Sequence, residues 1–396
     1  MRATKRMKAS LLCAAVVMAL PIVAFGQGKN PVKVGIVSSK SGVFAEQGEE
    51  IIRAIVFGIE QANAEGGIDG HKIEYQEGDD EGTPDAGRRV AEKMAREGYN
   101  LLIGAIPSSV SLTIVQNLDR WDAAYFSVAS KSNKLTGDTC RPRSFITNHT
   151  DAMDIAMINQ WARHLPGTTF GVMAADYVWG HDSEESFKHA TEKLGKKIPI
   201  ALFAPLGTKD FSPYVAQLKA ANLDAIWVVE TGRDAIAFVK QAAEFGLIPK
   251  TKLFGHSLIH DFTIRATDNL LEGTVSTSSY IPDIDTAGNK QFVAAWKAKF
   301  GRLPTDTEGQ AYNGIQVLLA GVHLAGSVKP ADIAKSLPGA TIETIYGKVL
   351  MRAQDHQLLL PNFVAKAKVV DGLLRATQEE RFPPSIIPAA SPLCKM

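Results

Sequence analysis

The chain has 396 residues, of which 45% are hydrophobic and 21% charged, with 43 Lys and Arg against 42 Asp and Glu. This length exceeds what one hydrophobic core usually organises, so two domains are expected. The balanced charge excludes an electrostatic footprint for nucleic acid or an anionic membrane, so the expected partner is a small molecule or a protein, with no nucleic acid.

Residues 1–26 predict an export signal. Four basic residues precede the apolar run LLCAAVVMALPIVAF, and small residues flank Phe25, which predicts cleavage near Gly26. The run has about 15 residues, fewer than the roughly 20 of a comfortable membrane span, and a retained anchor is the alternative. Cleavage leaves 39 basic against 42 acidic residues. The mature chain is therefore expected in the periplasm.

Beyond the signal, short β-branched runs alternate with amphipathic helical stretches. Strands are predicted at 32–38, 71–79, 100–106 and 123–129, and helices at 48–67, 84–97 and 109–120. This alternation predicts a mostly parallel sheet covered by helices on both faces.

The pattern then repeats. Five further strands are predicted between residues 169 and 279, separated by helices such as SEESFKHATEKLG and RDAIAFVKQAAEFG. Two more helices and a strand-rich tail follow residue 288, and they are too few for a third domain. The fold class is therefore α/β with two doubly wound lobes, which the last elements complete.

Six phrases, in this order and spacing, resemble the branched-chain amino-acid type of periplasmic ligand-binding protein. They are GIVSSKSGVFAEQG, EQANAEGGIDGHKIE, LLIGAIPSSVSL, YFSVASKSNKLTG, DYVWGHDSEESF and EGQAYNGIQVLLAG. The resemblance covers nearly all of residues 32–375. It implies a type I periplasmic binding protein fold, or Venus flytrap, with two Rossmann-like lobes that close on a ligand, and it implies the receptor of an ABC importer.

The resemblance also implies three crossovers between the lobes, near Phe145–His149, Thr277–Tyr280 and Val349–Arg352. The N-terminal lobe would then comprise 27–147 and 281–350, and the C-terminal lobe 148–280 and 351–396. The implied partners are a small-molecule ligand and the membrane permease subunits of the importer, with the binding protein itself a monomer.

The opening turn, SSKSGVFAEQG, raises the question of a nucleotide site. Gly42 and Gly48 have the wrong spacing for G-x-G-x-x-G, and no G-x-x-x-x-G-K-[ST] occurs. The turn still lies where a strand ends and a helix starts, which is where open α/β sheets bind ligands. We therefore expect Phe44 and Gln47 in a ligand wall, with a purely structural turn as the alternative.

Catalytic and metal patterns are incomplete. In GHSLI, Ile259 replaces the final Gly that a nucleophile elbow needs around Ser257. His256 and His260 are four residues apart, but they lack the Glu of H-E-x-x-H and occupy a strand end and loop. We expect no enzyme activity, no cofactor and no metal.

In the first lobe, the resemblance assigns ligand contact to Ser108 and Ser109, which start a helix. A helix start offers unpaired N–H groups and partial positive charge to a carboxylate, although one serine could serve only as a cap. The next family position falls on Ala129, Ser130 and Lys131. Lys131 departs from the usual small hydroxyl residue, and either pairing with a carboxylate or pointing to solvent is compatible with the sequence.

In the second lobe, the resemblance places Trp179 of a DYVWG loop at the cleft, where an indole offers a flat apolar surface. The next walls match Glu230 with Thr231, and His256 with Ser257. The family's amine-binding acid is expected in GHSL, where this sequence has Ser257. An α-amino-acid ligand is thus in question, although Glu230 could bind an ammonium group from a neighbouring loop.

The two mature cysteines, Cys140 and Cys394, would meet an oxidising compartment after export, which favours a disulfide over two free thiols. The sequence as a whole predicts a periplasmic solute-binding receptor for a small carboxylate-bearing ligand. The ligand could be a branched-chain amino acid, an amide or an aromatic acid. A ligand-sensing regulator or receptor domain of the same fold is the alternative.

Overall fold

The computed structural model describes residues 29–396, and the predicted export signal lies outside them. The strands are β1 Val32–Ser38, β2 Ile73–Asp79, β3 Leu101–Gly104, β4 Ala124–Ser127, β5 Ser144–Ile146, β6 Thr169–Ala175, β7 Lys197–Ala204, β8 Ala225–Val229, β9 Lys252–His256, β10 Val275–Thr277, β11 Thr341–Thr344, β12 Gly347–Met351, β13 Leu358–Leu359, β14 Asn362–Val370 and β15 Leu373–Phe382. The helices are α1 Ala45–Ala64, α2 Pro84–Arg96, α3 Ser108–Val115, α4 Leu118–Trp121, α5 Asp151–Ala162, α6 Val178–Glu192, α7 Ser212–Ala220, α8 Gly232–Glu244, α9 Asp261–Ala266, α10 Ala287–Phe300, α11 Asp306–Ala325 and α12 Pro330–Ser336.

The first lobe is built on a parallel sheet in the order β2-β1-β3-β4-β5. The strands are short, mostly apolar runs, because helices cover both faces of the sheet and bury the side chains on each side. On one face α1 packs against α11, and Ile51, Ile55, Ile315 and Leu318 share one core cluster. The late helix α11 therefore completes the first lobe, as expected from the sequence.

The second lobe has a seven-stranded sheet in the order β15-β14-β10-β9-β8-β6-β7. Strands β6 to β10 are parallel, whereas β14 pairs antiparallel with both β10 and β15. The strand-rich tail thus completes this sheet. The prediction of two doubly wound α/β lobes is confirmed.

One predicted helix is broken. The stretch 109–120 forms α3 and α4, separated at Gln116 and Asn117. The Asn117 side chain donates to the Thr113 carbonyl at 2.9 Å, and its backbone leaves helical geometry. A side chain that bonds a nearby carbonyl competes with helix continuation, which accounts for the break.

The third passage between the lobes lies later than predicted from the resemblance. Strand β13 pairs with β12 in a small sheet, and Gln357 bridges Ile146 of β5. Leu358 and Leu360 also belong to the first lobe's core cluster. The chain therefore leaves the first lobe near residues 360–361, rather than at Val349–Arg352, because these apolar residues are buried there.

The C-terminal tail returns to the first lobe. After β15 of the second lobe, Cys394 forms a disulfide with Cys140, with the sulfurs 2.11 Å apart. The Arg352 guanidinium donates to the Pro388 carbonyl at 2.7 Å, which holds the tail along its course. Covalent and hydrogen-bonded contacts thus connect the end of the chain to the lobe where it began.

In residues 29–396, no helix on its own has the length and apolarity to cross a membrane. Helices α11 and α12, which are bent by 91° relative to each other, reach that length and apolar composition only when they are taken together.

Candidate ligand-binding site

A cavity lies between the lobes, at the carboxyl ends of the parallel strands. The cavity, together with the solvent-open space at its mouth, has a volume of about 420 Å³. The residues that line it come from both lobes: Gln47, Ile106, Ser108, Ala129, Lys131, Tyr177, Trp179, Thr231, Ser257, His260, Thr307 and Gln310. This is where open α/β sheets are expected to bind ligands.

The opening turn reaches this cavity through the start of α1. Gly48 lies so close to the turn that a Cβ there would be 1.8 Å from the Ser39 carbonyl oxygen. The Ser39 hydroxyl in turn donates to Asp80 at 2.5 Å. This packing fixes the first turn of α1 and places Gln47 at the cavity wall.

The start of α3 offers donors to an anion. Pro107 precedes the helix in an extended conformation, and the first two helical residues are Ser108 and Ser109. Their backbone N–H groups donate to no protein acceptor in the part of the chain that the structure describes. The Ser108 hydroxyl oxygen accepts from the Ser132 N–H at 3.2 Å, so its proton can point elsewhere. Free N–H groups at a helix start favour a carboxylate.

Lys131 joins the two lobes next to this helix start. It is buried, and its Nζ donates to Asp154 Oδ2 of the second lobe at 2.5 Å and to Ser279 Oγ at 3.1 Å. Burial alone would raise the pKa of Asp154, but Lys131, His256 and His149 together hold that pKa below its ordinary value. The Lys131 charge is thus paired with Asp154 inside the protein. The side chain is buried and also lines the cavity.

Two aromatic rings form the wall from the second lobe. Trp179 lies in the first turn of α6 rather than in a loop, and it is 4% exposed. Its ring meets His256 edge-on, with centroids 5.0 Å apart, and lies 5.9 Å from Tyr177. The indole Nε1 has no protein partner in the described residues. Burial raises the pKa of Tyr177, so its phenol stays protonated at neutral pH.

Polar groups complete the lining. The Thr231 hydroxyl is 3.5 Å from Gln47 Oε1 across the cleft. Thr307 and Gln310 lie in the first turns of α11, and Thr307 Oγ1 and Gln310 Oε1 are buried without a partner in residues 29–396. His260 pairs through Nδ1 with Asp306. Hydrogen-bonding capacity therefore remains free on the first-lobe side.

A second set of contacts joins the lobes where α9 and α11 begin. The Asp306 N–H donates to Asp261 Oδ2 at 3.1 Å, and the Asp261 N–H lies 3.5 Å from Asp306 Oδ1. Burial and the Asp306 charge raise the pKa of Asp261 to about 6. Burial and the nearby carboxylates of Asp306, Glu308 and Asp261 raise the pKa of Glu50 to about 8.

Seven of the twelve residues assigned to the ligand from the sequence line the cavity: Gln47, Ser108, Ala129, Lys131, Trp179, Thr231 and Ser257. The structure places the other five elsewhere. Phe44 is buried in the first lobe's core, and the Ser109 side chain lies outside the lining. Ser130 bonds inward to Ser111 at 2.5 Å and to the Ile106 carbonyl at 3.0 Å.

Glu230 and His256 also lie behind the cavity wall. His256 is fully buried, 3.0 Å from Asp151 through Nε2 and 3.3 Å from the Thr277 hydroxyl through Nδ1. Glu230 is fully buried, and neither carboxyl oxygen has a partner in the described residues. Burial and Asp234 raise the pKa of Glu230 well above its ordinary value. Burial thus disfavours the charged form of Glu230, and its side chain does not line the cavity.

Five lining residues were missed from the sequence: Ile106, Tyr177, His260, Thr307 and Gln310. One sequence signal was available for the last two. Thr305 and Glu308 form a capping box, in which each side chain bonds the other residue's backbone N–H. The spacing T-x-x-E marks the start of α11, and hence the turn that carries Thr307 and Gln310.

Within residues 29–396, no group of three or more His, Cys, Asp and Glu side chains is arranged to hold a metal ion. His256 and His260 are each paired with an aspartate instead. The site consists of hydrogen-bonding groups, aromatic surface and one lysine, Lys131, whose charge is paired with Asp154.

The fold and the cavity define a two-lobed small-molecule binding protein. Residues 31–372 match the family model described as periplasmic binding protein. The chain belongs to this family of periplasmic binding proteins, and its relatives are binding proteins, not enzymes.

Relatives agree with this assignment. The Leu/Ile/Val-binding protein homolog 4 of Brucella abortus is 26% identical over 373 residues, covering 90% of this chain and 88% of its own. A solute-binding protein of an ABC transporter from Rhodopseudomonas palustris, solved with 3,4-dihydroxybenzoic acid, has 25% identity and a TM-score of 0.81, covering 89% and 97%. The closed Leu-, Ile-, Val-, Thr- and Ala-binding protein of Brucella ovis has 23% identity and a TM-score of 0.82, covering 93% and 99%.

Proposed function

We propose that this protein is the periplasmic solute-binding receptor of an ABC importer and that it binds a small carboxylate-bearing ligand between its lobes. The observation that carries the proposal is the start of α3, where Ser108 lines a cavity between the lobes and the Ser108 and Ser109 N–H groups have no protein acceptor in the described residues. A helix start of this kind stabilises a carboxylate by hydrogen bonds and by its partial positive charge.

Contacts across the cleft provide a means of closure. Lys131 of the first lobe bonds Asp154 of the second, and the Ser132 hydroxyl bonds Asp182. Gly232 starts α8 with φ of +61°, and a Cβ there would be 2.7 Å from the Val43 carbonyl oxygen of the first lobe. Ligand groups that touch both lobes would add to these contacts and favour the closed form.

The ligand is identified by native mass spectrometry of protein purified from the periplasm without denaturation, followed by release and mass analysis of the bound compound. We expect a monomer carrying one small acid. Small-angle scattering should show a smaller radius of gyration when this acid is added back to stripped protein. An unchanged radius at saturation would contradict closure of the lobes.

Transport is tested with the cognate permease reconstituted in proteoliposomes. The liganded protein should stimulate ATP hydrolysis and uptake of the bound acid, whereas the stripped protein should support no uptake. Binding without stimulation of any permease would instead favour a sensing role, and the fold and the binding site would be unaffected by that result.

A further inference from the structure

We infer that the cavity selects a carboxylate without an ammonium group, on a planar aromatic body that bears a hydroxyl. This inference rests on the proposed function, because it names the ligand class of the same site. It separates this protein from receptors that hold α-amino acids by both of their charged groups.

The lining carries no counter-charge for an ammonium group. Among the twelve residues that line the cavity, the side chains that can carry positive charge are Lys131 and His260, and none carries a carboxylate. A buried ammonium group without a counter-ion is strongly unfavourable. At Ser257, where the resemblance to the family leads us to expect an acid, only a hydroxyl faces the cavity.

Three acidic side chains beside the lining residues are each buried or already paired. Glu230 is fully buried and is not among the lining residues, and burial raises its pKa above the ordinary value. Asp154 is paired with Lys131, and Asp306 with His260 and the Asp261 N–H. If Asp154 turned to a ligand ammonium group, the buried Lys131 would lose its counter-ion, which is strongly unfavourable. If Asp306 did so, its pairing with His260 would be broken.

The apolar surface suits a flat ring. Trp179 and Tyr177 form one wall, and Ile106 and Ala129 add small apolar surface from the first lobe. Aromatic pairs prefer offset or edge-to-face contacts, and two tilted rings at 50° to each other allow such contacts with a third.

Two buried oxygens favour a hydroxyl on the ligand. Within residues 29–396, Gln310 Oε1 is an acceptor without a protein partner, although its amide donates to the Asp306 carbonyl at 3.3 Å. The neighbouring Thr307 hydroxyl is also unpartnered in the described residues. Buried polar atoms are nearly always satisfied, so a ligand hydroxyl that donates to Gln310 would complete this part of the site.

The test uses two ligand pairs that differ by the ammonium group alone and a third pair that differs by one hydroxyl. Calorimetry on stripped protein compares 3-phenylpropanoate with phenylalanine and 4-methylpentanoate with leucine, and it compares 4-hydroxybenzoate with benzoate. We expect the amine-free member of each of the first two pairs to bind at least tenfold more tightly, the aromatic acids to bind more tightly than the aliphatic one, and 4-hydroxybenzoate to bind more tightly than benzoate.

Equal or tighter binding of the amino acids would overturn the inference while leaving the proposed receptor function intact. Binding of none of the aromatic acids would overturn it as well, because the class would then be wrong. Failure of the proposed function has a different signature: no compound would be released from periplasmic protein, and scattering would detect no closure.

A matched pair of variants tests the missing charge directly. Ser257 has φ of +58°, a conformation that Asp and Asn tolerate better than most residues. Ser257→Asp should weaken 4-hydroxybenzoate binding at least tenfold and narrow the gap between phenylalanine and 3-phenylpropanoate. The uncharged Ser257→Asn should leave that gap unchanged. If both variants changed the gap equally, shape rather than charge would set the selectivity, and the inference would fail.

Glu230→Gln provides the remaining control. Since Glu230 lies outside the cavity lining, this change should leave every affinity within about threefold of the parent protein. Selective loss of amino-acid binding in Glu230→Gln would identify Glu230 as an ammonium site and overturn the inference.

Discussion

Ser108 and Ser109 start the same helix but have different surroundings. Ser108 lines the cavity, whereas the Ser109 hydroxyl does not. If Ser108 donates to a ligand carboxylate, Ser108→Ala removes a charge-assisted hydrogen bond worth roughly 1.5–3 kcal/mol, or about ten- to a hundredfold in affinity. Ser109→Ala is the matched control and should change affinity by less than about threefold. Calorimetry on both variants decides: near-normal affinity in both would mean that the backbone of α3, which neither substitution alters, carries the contact instead of the Ser108 hydroxyl.

Trp179 is the tryptophan, among the chain's five, that lines the cavity. A ligand against its ring should change its emission, since the unpartnered indole N–H and the apolar face would both gain a new neighbour. Trp179→Phe should abolish most of the ligand-induced change in fluorescence, and Trp161→Phe, outside the lining, should preserve it. A full signal in Trp179→Phe would show that the ligand lies elsewhere.

At the scale of elements, the sequence predicted which loops form the site. It did not predict which side chains in those loops point into the cavity. Ala129 and Lys131 line the cavity while Ser130 between them points inward, and Thr231 lines it while Glu230 does not. The side chains alternate by one residue where a strand ends, so a shift of one position moves a residue from the cavity to the core. Which side chain points into the cavity at the end of a strand depends on how the core packs against that strand, and the local sequence does not specify this packing.

The disulfide-linked tail adds a connection between the lobes. It leaves β15 of the second lobe and reaches Cys140 of the first lobe. The two bonded cysteines are 254 positions apart in the sequence. The chain-entropy model allows such a cross-link up to about 5 kcal/mol of stabilisation. Cys140→Ser with Cys394→Ser should therefore lower the denaturation midpoint in urea. Dithiothreitol should lower the midpoint of the parent protein to a similar value and leave the double variant unchanged. Freely alkylated thiols in periplasmic protein would contradict the pairing.

At the scale of the whole molecule, the number and order of the predicted elements indicated that late segments of the chain complete earlier ones. The late helices and the tail were too few for a domain of their own, and they complete the first and second lobes. The position of the two lobes relative to each other was not accessible to sequence reasoning, because it depends on interlobe contacts between residues far apart in the chain. Asp261 and Asp306, which bond each other's backbone across the lobes, are 45 positions apart.

These contacts also make closure dependent on pH. Where α1, α9 and α11 meet, the charged and titratable groups are Glu46, Glu50, Arg53, His260, Asp261, Arg265, Arg302, Asp306 and Glu308. The pKa of Asp261 is raised to about 6 and that of Glu50 to about 8, in part by carboxylates of the opposite lobe. Opening separates these carboxylates, so the closed form binds more protons than the open one.

By linkage, a carboxyl group whose pKa is higher in the closed form favours closure at low pH. That contribution is complete below its ordinary pKa near 4 and is lost as pH rises through about 6 for Asp261 and about 8 for Glu50. Ligand affinity should therefore fall between pH 5 and pH 9, by roughly ten- to a hundredfold if each group loses about one pKa unit of its elevation on opening. Asp261→Asn, which keeps a capping side chain without the charge, should flatten the part of the profile near pH 6, and Glu50→Gln the part near pH 8. Calorimetry across this range checks the prediction, and an affinity that rises with pH in the parent protein would mean that the cross-cleft carboxylates do not govern closure.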